Sequence, residues 1–152
     1  MTELAAGLAR RGNQVHLFVR AGPDMSQPSY QCIDEVHVHR VPIELNPDFV
    51  TECNNMCNAQ VWYIRETERY MQTTFDVVHA HDWLCAKSLV QMKQAGRRTV
   101  LTCHSTEAGR AGITNDHELD AFSLRIKAIE AEGCEYAGEI RPIPEWAARV
   151  LE

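Results

Sequence analysis

Short runs rich in β-branched and aromatic residues alternate along this chain with longer stretches whose apolar residues recur at helical spacing, and that alternation constrains the fold more than any other feature. Val15-His16-Leu17-Phe18-Val19, bounded by Gly12-Asn13 and Ala21-Gly22-Pro23, reads as a buried strand. After a Gly-, Pro- and Ser-rich loop from Gly22 to Tyr30, the stretch from Glu35 to Val41 alternates with period two and reads as a half-exposed strand. Two further strands are expected over Phe75 to Ala80 and Arg98 to Cys103. The intervening helices are predicted from Met1 to Arg11, stopped by Gly12, and from Phe49 to about Gln72, entered through the turn Asn46-Pro47-Asp48. Trp83 to Gln94, ended by Ala95-Gly96, and His117 to Tyr136, which Pro142 and Pro144 prevent from continuing, complete the set. Such an order specifies an α/β fold: a Rossmann-like parallel sheet with helices on both faces. The order opens on a helix, whereas a doubly wound domain opens on a central strand and a Gly-rich turn.

With 152 residues, one domain with a hydrophobic core is expected. A formal charge of -6, with no cluster of Lys or Arg, argues against nucleic acid or an anionic membrane as partner. No apolar stretch approaches the roughly 20 residues that span a bilayer, and the first residues lack the pattern of a signal peptide, so no membrane span and a cytoplasmic location are expected. The six cysteines are scattered and read as reduced, mostly buried thiols.

In open α/β sheets ligands gather at the carboxyl ends of strands. Two polar clusters fall there. In His79-Ala80-His81-Asp82-Trp83, Asp82 can cap the following helix and either imidazole can face a cleft. In His104-Ser105-Thr106-Glu107-Ala108-Gly109-Arg110, His104 is placed to bond a sugar hydroxyl or a carbonyl-like developing charge, and Ser105 or Thr106 resembles a helix cap paired with a nearby carboxylate. On spacing alone, a pure cap at Asp82 and strand-end imidazoles bonded to backbone are the favoured account of both clusters.

The string from Phe75 to Trp83 resembles the D-V-V-H-x-H-D-W segment of glycogen and starch synthases and their relatives, and Leu101 to Arg110 resembles the T-x-H-S-T-E-x-G-R segment that follows it there. The spacing between the two also matches, and Met1 to Leu17 is similar, less specifically, to the first helix and second strand of these glycosyltransferases. The resemblance covers residues 1–137 and implies a partial amino-terminal domain of the GT-B fold lacking its first strand, with 138–152 a divergent tail. It implies retaining transfer of a sugar, glucosyl in these enzymes, from a nucleotide-sugar such as UDP- or ADP-glucose to a glucan or other sugar acceptor, with no metal and no cofactor. His104 and Asp82 match the residues beside the reacting centre, and His81, Ser105, Thr106, Glu107 and Arg110 fall on the substrate-binding segment. In that family the groups that stabilise the leaving phosphate lie in a second domain. The chain is therefore expected to be an incomplete, acceptor-side part, inactive alone, or else a non-catalytic carbohydrate-binding remnant. The stretch from Gly138 to Pro144 does not resemble the strand expected next.

Other patterns are weaker. His37-x-His39, His79-x-His81 and Cys53-x-x-x-Cys57 reproduce no zinc pattern, so no metal is expected. Phe49, Trp62, Tyr63 and Tyr70 read as a packing stripe on the long helix rather than a sugar platform, with Val61, Ile64 and Tyr70 on its buried face. The lack of a G-x-G-x-x-G turn argues against a nucleotide-dependent dehydrogenase or epimerase.

Overall fold

A computed structural model describes residues 2–112 and 119–142. Helix α1 (Thr2–Ala9) leads into β1 (Val15–Arg20), and a hairpin follows, β2 (Tyr30–Ile33) and β3 (Val36–Val41). The long helix α2 (Phe49–Met71) precedes β4 (Val78–His81), a 3₁₀ turn at Trp83–Cys85, α3 (Ala86–Gln94) and β5 (Thr99–Cys103). A short helix α4 (Glu107–Ala111), α5 (Ala121–Tyr136) and β6 (Glu139–Pro142) complete the order. The helix expected from Trp83 is thus split, and the one expected from His117 starts at Ala121, where the Asp120 side chain accepts from Ser123 N at 2.7 Å. His117 and Pro144 lie outside the described residues.

The strands do not form one sheet. They form two three-stranded sheets, ordered β1-β3-β2 and β4-β5-β6. All pairs are parallel except β2 with β3. The β2 strand was hidden in the sequence because it is exposed throughout and its turn, Asp34-Glu35, contains no glycine, although both residues take positive φ (49° and 64°) as a two-residue hairpin of type I′ requires. The expectation that 138–144 holds no strand is corrected by β6, which runs parallel to β5. Gly138 is what lets it dock: a Cβ there would lie 2.9 Å from the Thr99 carbonyl oxygen, and its N–H donates to Thr99 Oγ1 at 2.9 Å. Pro142 is tolerated because it sits at the end of its strand.

Helix α2 packs on β1 and β3 of the first sheet and on α3 and the 3₁₀ turn of the second. Its buried side, Val50, Cys53, Cys57, Gln60, Val61, Ile64 and Glu68, follows the spacing of one helical face. Tyr70, expected on that face, is instead 90% exposed, and Trp62 is 58% exposed, so the aromatic stripe is not core packing. Asp48 caps the helix, its carboxylate accepting from Thr51 N at 2.9 Å, and a bidentate pair with Arg125 ties that cap to α5. At the other end the buried Glu68 carboxylate accepts from Arg97 (2.8 and 2.7 Å) and from Phe75 N (3.0 Å), joining α2 to the segments that enter β4 and β5. Arg97 holds the Glu68 carboxyl below its usual range, so the pair stays ionised at neutral pH.

Helices α3 and α5 meet closely because residue 133 is glycine, where a Cβ would lie 2.8 Å from Ala86 Cβ. Of the six cysteines, Cys53 and Cys57 are buried, Cys85, Cys103 and Cys134 half-buried and Cys32 exposed, and all are free thiols. Burial pushes the Cys53, Cys85 and Cys103 thiols up to about 11, so they are protonated and unreactive at neutral pH. Among the described residues no helix is long and apolar enough to cross a membrane.

Candidate active site at the ends of β4 and β5

Parallel pairing of β4 with β5 sets Val78 opposite Thr99 and His81 opposite Thr102, so the two strands end together and deliver both polar clusters to one rim. His79 and His81, two residues apart, stand on one face with their rings stacked at 4.4 Å. His81 Nδ1 lies 2.9 Å from His104 Nε2, and His79 Nε2 lies 2.7 Å from Thr102 Oγ1. An imidazole pair at that distance needs one ring to donate and the other to accept, so each ring fixes the tautomer of its neighbour. Burial, reinforced by His79 and His104, pushes His81 down to about 4. The ring is therefore neutral near pH 7, a hydrogen-bonding group rather than a charge.

From its sequence position Asp82 can cap the helix that follows it or face the cleft. Its side chain makes no cap bond there. Instead Oδ1 crosses to the next strand end and accepts from His104 N at 2.6 Å and Ser105 N at 3.4 Å. Asp82 holds φ 57° and ψ 179°, a region rarely occupied by residues with a Cβ and costing about 1–3 kcal/mol. Strain at this residue aims the carboxylate across the cleft and presents the His104 backbone and ring in a defined place.

The remaining residues of the second cluster build the loop. Thr106 caps α4, accepting from Gly109 N at 3.2 Å, but its carboxylate partner is not the local one: Glu107 N donates to Glu130 of α5 at 2.8 Å. The Glu107 carboxylate accepts from Arg110 Nη2 (2.6 Å) and from Ser123 Oγ (2.7 Å), and Arg110, foremost, holds it below its usual range. Arg110 also donates to the Ser105 carbonyl and hydroxyl at 3.2 and 2.9 Å. Glu107 and Arg110 thus spend most of their hydrogen-bonding capacity on protein, while His104, Ser105 and Thr106 remain exposed.

A cavity of about 380 Å³ opens between the two sheets. His79, His81, Asp82 and His104 line it from the β4 side, and His16, Phe18 and Arg20 line it from β1. Sequence reasoning found the first group and missed the second, since nothing in Val15 to Arg20 distinguishes a strand beside a ligand from one in a core. Among the described residues, no group of three His, Cys, Asp or Glu side chains is arranged so that it could hold a metal ion.

Residues 1–137 match the family Glycosyltransferase Family 4. An uncharacterised glycosyltransferase of Methanocaldococcus jannaschii is 30% identical over 137 residues, which span 87% of this chain and 33% of that protein. A glycogen synthase of Pseudothermotoga lettingae is 29% identical over 102 residues, 62% of this chain and 20% of its own length. The chain spans about a third or less of these relatives. Its fold is that of part of a sucrose-phosphate synthase from Thermosynechococcus elongatus, with a TM-score of 0.60 at 17% identity over 93% of this chain and 40% of that one. The paired strand-end histidines, the parallel α/β halves and these matches together show that the chain belongs to glycosyltransferase family 4, as an amino-terminal domain of the GT-B type.

Proposed function

We propose that this chain forms the acceptor-side part of a retaining transferase that moves a sugar, in the first instance glucosyl, from a nucleotide-sugar such as UDP- or ADP-glucose to a glucan or other sugar acceptor. The observation that carries this reading is the convergence of His81, Asp82 and His104 at the ends of two adjacent parallel strands, where open α/β sheets take ligands. His104 and His81, as hydrogen-bonding groups, bond sugar hydroxyls near the reacting centre. Asp82 acts by positioning His104, and Ser105 and Thr106 offer further hydroxyls, while Glu107 and Arg110 hold the loop in shape. No side chain of this cluster is an activated nucleophile, which suits front-face displacement through an oxocarbenium-like state better than a covalent intermediate. In this reading the reaction uses neither metal nor cofactor, and the charge on the leaving phosphate is met by a second domain. The free cysteines suit a cytoplasmic setting.

The test is turnover of UDP-glucose and ADP-glucose by this chain alone and by a polypeptide extended at both ends. Activity confined to the extended form is expected; equal activity in the two would overturn the incomplete-site reading. The competing reading, a carbohydrate-binding remnant, is favoured by the exposed, hydroxyl-rich rim at His104 to Thr106. Glucan binding that weakens on His104→Ala, with no transfer by either form, would establish it.

A further inference from the structure

The turn from His104 to Glu107 is tied at both ends by carboxylates that come from other elements. Asp82, at the end of β4, accepts from His104 N at 2.6 Å and from Ser105 N at 3.4 Å. Glu130, on α5, accepts from Glu107 N at 2.8 Å through Oε1, and the same oxygen lies 3.6 Å from Arg110 Nη2. Arg110 in turn donates to the Ser105 carbonyl and hydroxyl, so Glu130 reaches the turn directly at residue 107 and through Arg110 at residue 105. Helix α5 is a firm support for this contact. Its Ile126 and Ile129 are buried with Trp83 and Ala86, and Gly133 brings the helix against Ala86. The Glu130 side chain is 14% exposed, so little water replaces either partner.

The position is unfavourable for an acid. Burial, foremost, raises the Glu130 carboxyl above its usual range, and the nearby Glu107 and Asp82 carboxylates add to the rise, while the Glu107 amide and Arg110 oppose it. An amide side chain would accept the same hydrogen bond without setting a third carboxylate beside two others. Placements that cost stability in this way concentrate at functional sites. We propose that Glu130 is a positioning residue for sugar transfer, acting through the Glu107 amide and Arg110 to fix, together with Asp82, the turn that carries His104. This role rests on the transferase reading above. Asp82 holds only the first two amides of the turn and leaves it free to swing about them. The second tie, at Glu107, removes that freedom and sets the His104 ring in one place relative to a sugar at the rim. A misplacement of about 1 Å at a reacting centre can lower a rate about 100-fold, so loosening one of two ties should lower it about tenfold.

Two measurements test it. In the extended polypeptide, Glu130→Ala should lower kcat about tenfold and leave KM for the nucleotide-sugar within about twofold, since the turn is displaced and no donor contact is removed. Glu130→Gln, whose amide oxygen still accepts from Glu107 N, should return kcat to within about threefold. Glu132→Ala, which breaks only the partly exposed pair with Lys87 on the same helix, should leave kcat unchanged. The second measurement needs no turnover: residue-resolved amide hydrogen exchange on this chain. The His104 and Ser105 amides, which Glu130 does not bond, should exchange about tenfold faster in Glu130→Ala and return to their original rates in Glu130→Gln, with the Leu89 and Met92 amides of α3 unchanged. An unchanged kcat in Glu130→Ala, a loss that Glu130→Gln does not restore, unchanged exchange at His104 and Ser105, or acceleration that spreads to Leu89 and Met92 each overturns the role. Where the unsubstituted extended polypeptide transfers no sugar, the proposed function fails and this role with it; transfer that Glu130→Ala leaves intact overturns this role alone.

Discussion

In the first sheet His16 stacks against His37 at 4.4 Å and against His39 at 5.2 Å, walled in by Phe18, Phe75 and Tyr30. In the second, His79, His81 and His104 form a triad of similar geometry, with ring separations of 4.4 and 5.2 Å. Each triad has one imidazole pair in hydrogen-bond contact at 2.9 Å, His16 with His39 and His81 with His104. The surroundings differ. The first triad meets aromatic rings and leaves a buried nitrogen unpartnered, whereas the second is anchored by Thr102 Oγ1 and by the Asp82 carboxylate beneath His104. Both triads have a side-chain anchor, Tyr30 Oη on His37 Nδ1 at 2.7 Å in the first and Thr102 Oγ1 on His79 in the second, and what separates them is exposure: His16, His37 and His39 are half-buried among aromatic rings, while His79 and His104 are exposed to a ligand. Identical side chains thus become packing in one place and a polar rim in the other.

That contrast is open to direct test. The largest expected effect is on transfer by the extended polypeptide: His104→Ala should lower turnover about 100-fold, the order of one lost hydrogen bond to developing charge, while His37→Ala leaves it within about twofold. Equal losses would erase the distinction between the triads. Next is a packing control confined to the second sheet. Gly133→Val must displace Ala86 and should cost about 2–3 kcal/mol by denaturant unfolding, with no comparable cost for a bulky residue on the exposed face of β2.

Acid sensitivity comes third. Burial first, then His37 and His39, pushes His16 down to about 4, and His81 is lowered to about 4 by burial and its imidazole neighbours. The unfolded chain binds these protons near the ordinary value of 6.5 and the folded chain does not, so the unfolded state binds more protons in between. Stability is then full above about pH 6.5, falls as pH drops toward about 4 and levels off below, by about 1–2 kcal/mol per triad once partial exposure is allowed for. Urea midpoints across that range measure it, and a flat profile would remove the case for neutral buried rings. The smallest effect is the most discriminating. His16→Phe removes an unsatisfied nitrogen and one imidazole bond together, so stability at pH 7 should change by less than about 1 kcal/mol and the acid loss should shrink. His81→Phe at the other triad should instead abolish glucan binding.

Much of this was legible beforehand. Six of the elements fell where periodicity and caps placed them, α2 most closely, because Asp48, an uninterrupted 23-residue helical stretch and Gln72 in a left-handed conformation each act locally. His79, His81, Asp82 and His104 could be selected because strand ends are recognisable in sequence, and in a parallel sheet ligands collect there. The role of Asp82 was not legible. A residue before a helix looks like a cap, and only the register of β4 against β5 brings the His104 amide within 2.6 Å of its carboxylate. Glu68 with Arg97 was equally hidden, since 29 residues separate partners that chain geometry alone cannot pair.

What the sequence by itself determined is the alternation of elements, the position of each strand end and the residues delivered there, since these depend on periodicity, turn chemistry and capping within a few neighbouring residues. Tertiary structure decided which edges found partners: that the strands divide into two sheets, that Gly138 admits β6 beside β5, and that one imidazole triad is packed while the other lines a rim. Backbone pairing and desolvation depend on groups distant along the chain, and their contributions arise only when those groups are brought together.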